Sequence, residues 1–432
     1  TLNSALTWPE VSSVFHSTEP RIAVISDALL GRIPDDGIPD GISVVVVGST
    51  QHDSTNRLNF DSALAESPTA RPQVEIGPDD LLRLRYTSGT TGAMKAAMLA
   101  HRTYVASLEI LLNELPPLSS DDRVMHAGPL THASAAYMYP VLYAGGANVL
   151  MQKFDADAAL ELIERERVSI FFAVPTMLHR IAESPSFQTR DLSSLRSVSY
   201  GAAPTPPEVL EPIITRLPEK LLHIYGLTEA LHPITTLARG EHYAGNPRLG
   251  SVGKPTCLCE VKVVREDTTD AADGEVGELW VRAPVAMDGY WRAPVDSAEV
   301  MRDGWIMTGD VGYRDADGFF WIVDRKKDVI ISGGFNVYTA EVEAVLLSHP
   351  AIAEAAVIGM PHPDWGEEVH AVIAFNTGAS ASEADIIAFC RERLAGYKTP
   401  KGVTVMDALP RNSTGKVLKR ELTSTIPAPK PN

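Results

Sequence analysis

Between residues 148 and 225 the chain repeats one pattern: a short apolar run, then an amphipathic stretch. The apolar runs fall at 148–152, 169–174, 196–200 and 221–225. The stretches between them begin near 156, at Thr176, and at Thr205-Pro-Pro-Glu208, which reads as a capping box. Strands that alternate with amphipathic helices form a parallel, doubly wound sheet, because the crossover helices cover both faces. Such sheets bind ligands outside the carboxyl ends of their strands. The residues following each apolar run are therefore the first place to look for a site.

The flanks have other textures. Thr7-Trp-Pro-Glu10 predicts a capped helix start. Strands are expected at 21–26, 42–48 and 81–86. The continuous valine run of the second suggests burial on both faces, and 51–78 reads as a polar linker. Past Gly250 the pattern turns to β, with strands at 260–265, 278–282 and 319–323 and a hairpin turn at Asp315-Ala-Asp-Gly318. After Arg325-Lys-Lys-Asp328 a small α+β unit follows, with helices at 340–347 and after Ser382, and strands at 354–359 and 370–375. The fold class expected is α/β: a large domain of doubly wound sheets with a β-rich subdomain, plus a small mobile α+β C-terminal domain. Its boundaries are 1–326, with the β-rich part at 250–324, and 327–432. The proline-rich tail from Ser424 is expected to fray.

Charge narrows the function. Lys and Arg number 38 against 55 Asp and Glu, a net charge of −17. Nucleic acid is excluded as a general partner, since phosphate neutralisation needs clustered cations. Three cysteines are too few for a disulfide framework and point to a cytoplasmic protein. Cys257 and Cys259 read as alternating strand positions rather than metal ligands. No apolar run is long enough to span a bilayer.

The strongest local signal is Tyr86-Thr-Ser-Gly-Thr-Thr-Gly92 with Lys95. It follows an expected strand and supplies hydroxyls, two glycines and a cation. Successive backbone N–H groups in such a loop form an anion nest, and glycine lets the backbone approach a phosphate. The spacing is not that of a Walker A loop, and a polar turn before a helix has the same composition. Further motifs follow in order: Gly201-Ala-Ala-Pro204, Tyr225-Gly-Leu-Thr-Glu229, Thr308-Gly-Asp310, the stretch from Asp324 to Gly334, and Pro410-Arg-Asn-Ser-Thr-Gly-Lys416. Together they resemble the adenylate-forming superfamily of acyl-CoA synthetases, aryl-CoA ligases, luciferases and nonribosomal peptide adenylation domains. The resemblance runs to about Glu421 and is nearest to acyl-CoA synthetases.

That resemblance implies ATP-dependent activation of a carboxylic acid to an acyl-adenylate, then thiolysis by coenzyme A. It implies ATP, Mg²⁺ and coenzyme A as cofactor and co-substrates. Thr87, Ser88, Gly89, Thr90, Thr91, Gly92 and Lys95 are expected to hold the β- and γ-phosphates, and Thr228 the α-phosphate. Glu229 would organise Mg²⁺, a hard ion suited to carboxylate oxygen. Tyr225, preceding Gly226, would stack on adenine against Gly201, Ala202, Ala203 and Pro204. Asp310 would accept the ribose hydroxyls, with Arg325 at the ribose or phosphates. Lys416 corresponds to the catalytic lysine that bridges carboxylate and α-phosphate, and His132 to the gate between the nucleotide and acyl channels. Lys327 occupies the hinge, and Ser332, Gly333 and Gly334 the face where pantetheine enters. Between Tyr397 and Arg420, Lys398, Lys401, Arg411, Lys416, Lys419 and Arg420 stand against Asp407 alone, which suits an anionic ligand.

The acyl pocket is expected near 174–177, 201–203 and 227–234, which carry no charge apart from Glu229. An acidic or amine-bearing substrate is thereby disfavoured. Met94 and Ala96 depart from the Pro and Gly usual in the family. Family members usually carry a further segment before the position of Thr1. The expectation is that the chain is a fragment, that a partner chain supplies the piece, or that the domain is pared down; a homodimer is a separate expectation. Two alternatives stay open: loading of a carrier-protein thiol, and a non-catalytic nucleotide- or acyl-binding protein.

Overall fold

The computed structural model describes residues 1–34, 36–48, 57–87, 94–411 and 417–426. Ser88, Gly89, Thr90, Thr91, Gly92 and Lys416, and the end of the tail, lie outside the described residues. The chain divides into two compact units, Thr1–Asp80 with Ser88–Met94, and Leu81–Thr87 with Lys95–Asn432.

The first unit holds three parallel strands in chain order, Ile22–Ser26, Ser43–Val47 and Arg57–Asn59. Of the valine run only Val44 and Val46 are buried, while Val47 is exposed. The run is thus half-buried rather than covered on both faces, because the small core it joins, with Leu30, lies on one side. The expected linker contains the third strand and a helix, Phe60–Glu66. Asn59 starts that helix by accepting from the Ser62 N–H at 3.1 Å, a cap hidden in a polar stretch.

The second unit is built on a seven-stranded sheet. Its parallel part runs in space from Leu221–Tyr225 through Ser197–Gly201, Ile170–Ala173 and Arg123–His126 to Ala147–Leu150. The helices Ala156–Glu166, Pro175–Glu183 and Pro207–Arg216 pack their apolar stripes on it, through Leu160, Ile163, Leu178, Leu210 and Ile213. Thr205 is not the cap of the last helix: its hydroxyl bonds to the Ala203 carbonyl, Pro206 is the N-cap, and Pro207 begins the helix. Proline in the first turn has the right φ and needs no donor there, so it displaces the box.

The expected β texture forms a five-stranded antiparallel sheet from Glu260–Val264, Gly277–Arg282, Met301–Arg302, Trp305–Arg314 and Phe320–Arg325. Cys257 and Cys259 precede it in a turn, the first exposed and the second buried. The turn at Asp315–Gly318 forms as expected: Asp315 Oδ1 accepts from the Asp317 and Phe319 N–H groups, and Gly318 takes φ +85°. The last sheet pairs Ile352–His362 with Gly366–Phe375 and adds Ile330–Ser332, Phe335–Val337 and Gly402–Val405. Helices Thr339–Leu347 and Glu383–Arg391 bury Val342, Leu346, Ile386 and Cys390 against it. Ser382 and Asp385 form the expected capping box. Among the described residues no helix is long and apolar enough to cross a membrane.

Candidate active site

The carboxyl ends of the parallel strands are in register, with Ile224 opposite Gly201 and Ala173 opposite Tyr200. A Cβ on Gly201 would lie 2.2 Å from the Ile224 carbonyl oxygen, so only glycine lets these two strand ends meet. Gly226 is equally tight, since a Cβ there would lie 2.6 Å from that of His232. Ala202 takes φ +69°, a left-handed turn that swings Ala203 and Pro204 away from the strand.

Tyr225 ends its strand as a buried residue, 8% exposed, packed in the apolar core. Its hydroxyl donates to Asp310 Oδ2 at 2.6 Å. Asp310 comes from the antiparallel sheet, where Trp305–Arg314 pairs it directly with Arg325. That register brings Arg325 Nε to 2.6 Å from Asp310 Oδ1. Three residues expected to meet one nucleotide thus converge. The difference from expectation is that the Asp310 oxygens already hold Tyr225 and Arg325, and that Tyr225 is buried. Burial and the Asp310 charge hold the Tyr225 phenol well above its ordinary range, so it stays a donor.

A second cluster surrounds Glu229. Leu231 N–H donates to the Val285 carbonyl, Met287 N–H to that of Glu229, and Met98 N–H to that of Gly289. This run lays Tyr290 between the Glu229 turn and the strand Ala96–Ala100. The Tyr290 hydroxyl donates to Glu229 Oε1 at 2.6 Å. Lys95 Nζ lies 5.5 Å above the same ring and pairs with Asp296. Thr87 N–H donates to the Lys95 carbonyl at 2.8 Å, closing the ends of the Ser/Thr/Gly loop. Tyr290 and Asp296 were not expected from sequence; the only signal for Tyr290 was an aromatic residue after Gly289, a pattern common in any core.

His132 starts the short helical turn Ala133–Tyr137. Behind it His126, buried, accepts from Ser134 Oγ at Nδ1 (2.9 Å) and donates from Nε2 to Asn148 Oδ1 (2.6 Å). Those bonds hold the turn that presents His132. Burial, then the charges of Arg85 and Arg83, lower the His132 pKa, so its imidazole is neutral near pH 7. His132 lines a small cleft with Tyr104, His232, Leu231 and two residues of the strand Leu81–Tyr86, Arg83 and Arg85. Of the stretches expected to wall the acyl pocket, only 227–234 lines this cleft, through Leu231 and His232; 174–177 and 201–203 do not. The strand Leu81–Tyr86, which the expectation did not include, brings its two arginines.

Residues 326–328 turn between the strands Phe320–Arg325 and Ile330–Ser332, and Lys327 sits at the centre. Just before it, Asp324 accepts from the Thr339 N–H and hydroxyl, capping the helix Thr339–Leu347. Gly333 and Gly334 both have positive φ, at +57° and +83°, and form the tight hairpin from Ser332 to Phe335. Ser332 is buried, whereas Phe335 is 59% and neighbouring Trp365 42% exposed. Gly333 N–H donates to the Trp365 carbonyl at 2.9 Å. The expected basic surface is partly neutralised: Lys398 pairs with Glu341, Lys419 with Glu343 and Arg411 with Glu354.

Residues 1–291 match the family of AMP-binding enzymes, and 341–416 the AMP-binding enzyme C-terminal domain. The chain belongs to the AMP-binding enzyme family. It is 39% identical to a feruloyl-CoA synthase of an Amycolatopsis species over 90% of this chain and 80% of that protein. It is 35% identical to the medium/long-chain-fatty-acid–CoA ligase FadD8 of Mycobacterium tuberculosis, over 95% and 72%. The amide bond synthetase McbA from Marinactinospora thermotolerans superposes with a TM-score of 0.85 at 30% identity, covering 99% of this chain and 84% of that one.

In this AMP-binding enzyme the donor set at Glu229 fits Mg²⁺. One carboxylate oxygen is fixed by Tyr290, and the other has no protein partner among the described residues. Magnesium is held by one or two carboxylates together with substrate phosphates rather than by an all-protein cage.

Proposed function

We propose that the two clusters at the carboxyl end of the parallel sheet bind Mg·ATP, and that the cleft beside His132 receives the carboxylic acid. The chain is an AMP-forming acid–thiol ligase that uses ATP, Mg²⁺ and coenzyme A. A carboxylate oxygen bonds to the α-phosphorus and pyrophosphate leaves. The coenzyme A sulfur then bonds to the acyl carbon, and AMP leaves with the bridging oxygen. Acyl and aryl acids are the substrate class.

The observation that carries the site assignment is the convergence of Tyr225, Asp310 and Arg325, and of Lys95, Tyr290 and Glu229, at the strand ends. Glu229, oriented by Tyr290, would hold Mg²⁺, which when bound neutralises phosphate charge as pyrophosphate departs. Asp310 would exchange a bond to Arg325 or Tyr225 for a ribose hydroxyl. Thr87, the 88–92 loop and Lys95 would hold the β- and γ-phosphates, with Lys95 leaving Asp296 for them. Thr228 would donate to the α-phosphate, with the Gly201–Pro204 turn beside the base. Lys416 would meet the carboxylate and α-phosphate in the first step. For the second, Lys327 would be the hinge of a domain spanning 327–432, turning Ser332, Gly333 and Gly334 toward the acyl group. The exposed Phe335 and Trp365 beside that hairpin support entry of pantetheine there.

The test is acid-dependent exchange of labelled pyrophosphate into ATP over fatty and aromatic acids, then product analysis with coenzyme A. Exchange without coenzyme A, and thioester plus AMP with it, is the expected result. Exchange with no thioester on coenzyme A but transfer to a carrier-protein thiol would replace the acceptor; no exchange with any acid would overturn the reading.

A further inference from the structure

The ammonium of Lys95 already carries a carboxylate, that of Asp296. Among the described residues Lys95 is the one ion-pair partner of Asp296. Backbone bonds hold both members in place. Trp291 N–H donates to the Ala96 carbonyl at 2.8 Å, one residue past Lys95. Tyr290 N–H donates to Ser297 Oγ at 2.8 Å, one residue past Asp296, and Ser297 Oγ donates on to the Ala293 carbonyl at 2.8 Å. Each partner of the ion pair thus adjoins a residue tied to the Tyr290–Trp291 segment. Burial raises the Tyr290 pKa, and the charges of Glu229 and Asp296 both raise it further. Two carboxylates therefore act on one phenol, the second beside the cation expected to meet phosphate.

The fold does not depend on this pair. Its side chains are 21% and 38% exposed, and an ion pair so exposed adds little to stability. Its consequence is at the ammonium. A phosphate oxygen bonded to Lys95 Nζ lies within two hydrogen-bond lengths, roughly 6 Å, of a carboxylate bonded to the same atom. If Asp296 stays, like charges face each other across Lys95. If it swings away, phosphate has first to break the pair. Both routes oppose phosphate binding. We infer that Asp296 is an internal counter-ion that occupies Lys95 in place of phosphate, weakening the hold on ATP and easing the release of pyrophosphate. As pyrophosphate departs, the carboxylate takes back the ammonium. The inference rests on the reading of Lys95 as a phosphate ligand and adds to it a residue that sets nucleotide affinity.

The test is calorimetric titration with Mg·ATP and with magnesium pyrophosphate, without acid. Asp296→Asn keeps the shape and removes the charge. Its Kd for both ligands should fall about fivefold, the effect of one unit charge at contact distance in a water-like surrounding. The difference from the unaltered protein should shrink as salt rises, because screening weakens it. Asp296→Glu, which keeps the charge, should restore most of the weaker binding. Glu299→Gln removes the same charge from the same short helix, Pro294–Val300, and should move neither Kd. In thioester formation, pyrophosphate should inhibit Asp296→Asn at about fivefold lower concentration. A Kd unmoved in Asp296→Asn would overturn the inference. So would a raised one, which would make Asp296 a magnesium ligand, or equal tightening by Glu299→Gln. Lys95→Ala tests the underlying reading. Binding unmoved there removes Lys95 from the phosphates, and the inference falls with it. Binding weakened there, with Asp296→Asn unmoved, overturns the inference alone.

Discussion

At the scale of residues, the bond from Tyr290 to Glu229 decides how Glu229 can meet a metal. At 2.6 Å it holds one oxygen, and the other has no protein partner among the described residues. Groups that orient a metal ligand are worth about 10–100-fold in affinity or activity. Tyr290→Phe should therefore raise the Mg²⁺ concentration for half-maximal pyrophosphate exchange by about tenfold. Glu229→Gln, which keeps shape and loses charge, should shift it further. Magnesium titrations that superpose for all three proteins would remove Glu229 from the metal site. Glu229 was legible as a candidate because it closes a motif. Tyr290 was not, because the pair stands 61 positions apart and no local pattern joins them. Asp310 and Arg325 show the same division. Each was recognisable in its own motif, but the strand register that sets them opposite each other exists only in the folded sheet.

At the scale of elements, the parallel sheet carries both the site and its weak points. Gly201→Ala puts a methyl group against the Ile224 carbonyl and should cost about 1–3 kcal/mol, the range for overpacking. A lower thermal midpoint together with weaker ATP binding is the expected outcome; an unchanged midpoint would mean the strand ends separate freely. The sheet also buries His223, and the segments that follow that strand bury His232 and His242. Burial holds the first two down to about 3 and His242 to about 4. The unfolded chain protonates these groups below about 6.5, while the native protein does not until far lower. Acidification thus favours unfolding, and their contribution, complete above pH 6.5, is lost as pH falls toward 4 and 3. Each adds roughly 1.4 kcal/mol per pH unit within that window. The urea midpoint should be clearly lower at pH 5.5 than at pH 7.5; equal midpoints would show that these imidazoles take up protons in the native state. The helices and strands of this region were legible from periodicity, since burial on both faces imposes it. The half-buried valine run of Ser43–Val47 was misleading, because identical side chains conceal which alternate positions face the core. The helix Phe60–Glu66 buries no residue, so its residues carry no apolar stripe to find.

At the scale of the whole molecule, the proposed two-step reaction would bring two different faces of the C-terminal region to one acyl group in turn. In the proposed reading Lys416 would serve the first step and the Ser332–Gly334 hairpin the second, and both could not occupy one centre. Asp324 caps the helix Thr339–Leu347 directly across the turn that holds Lys327, so any rotation there must keep or break that cap. Proline at 327 fixes φ near −65° and removes a donor. Lys327→Pro should keep acid-dependent pyrophosphate exchange within about threefold and lose at least about tenfold in thioester formation from pre-made acyl-adenylate. Equal retention of both steps would place the hinge elsewhere. The most direct test of the account follows oxygen through the reaction. With an acid labelled with ¹⁸O in its carboxylate, ATP and coenzyme A, attack on the α-phosphorus transfers one labelled oxygen to AMP. One ¹⁸O is expected in each AMP formed and none in pyrophosphate; label in orthophosphate, or unlabelled AMP formed alongside thioester, would rule out an acyl-adenylate intermediate.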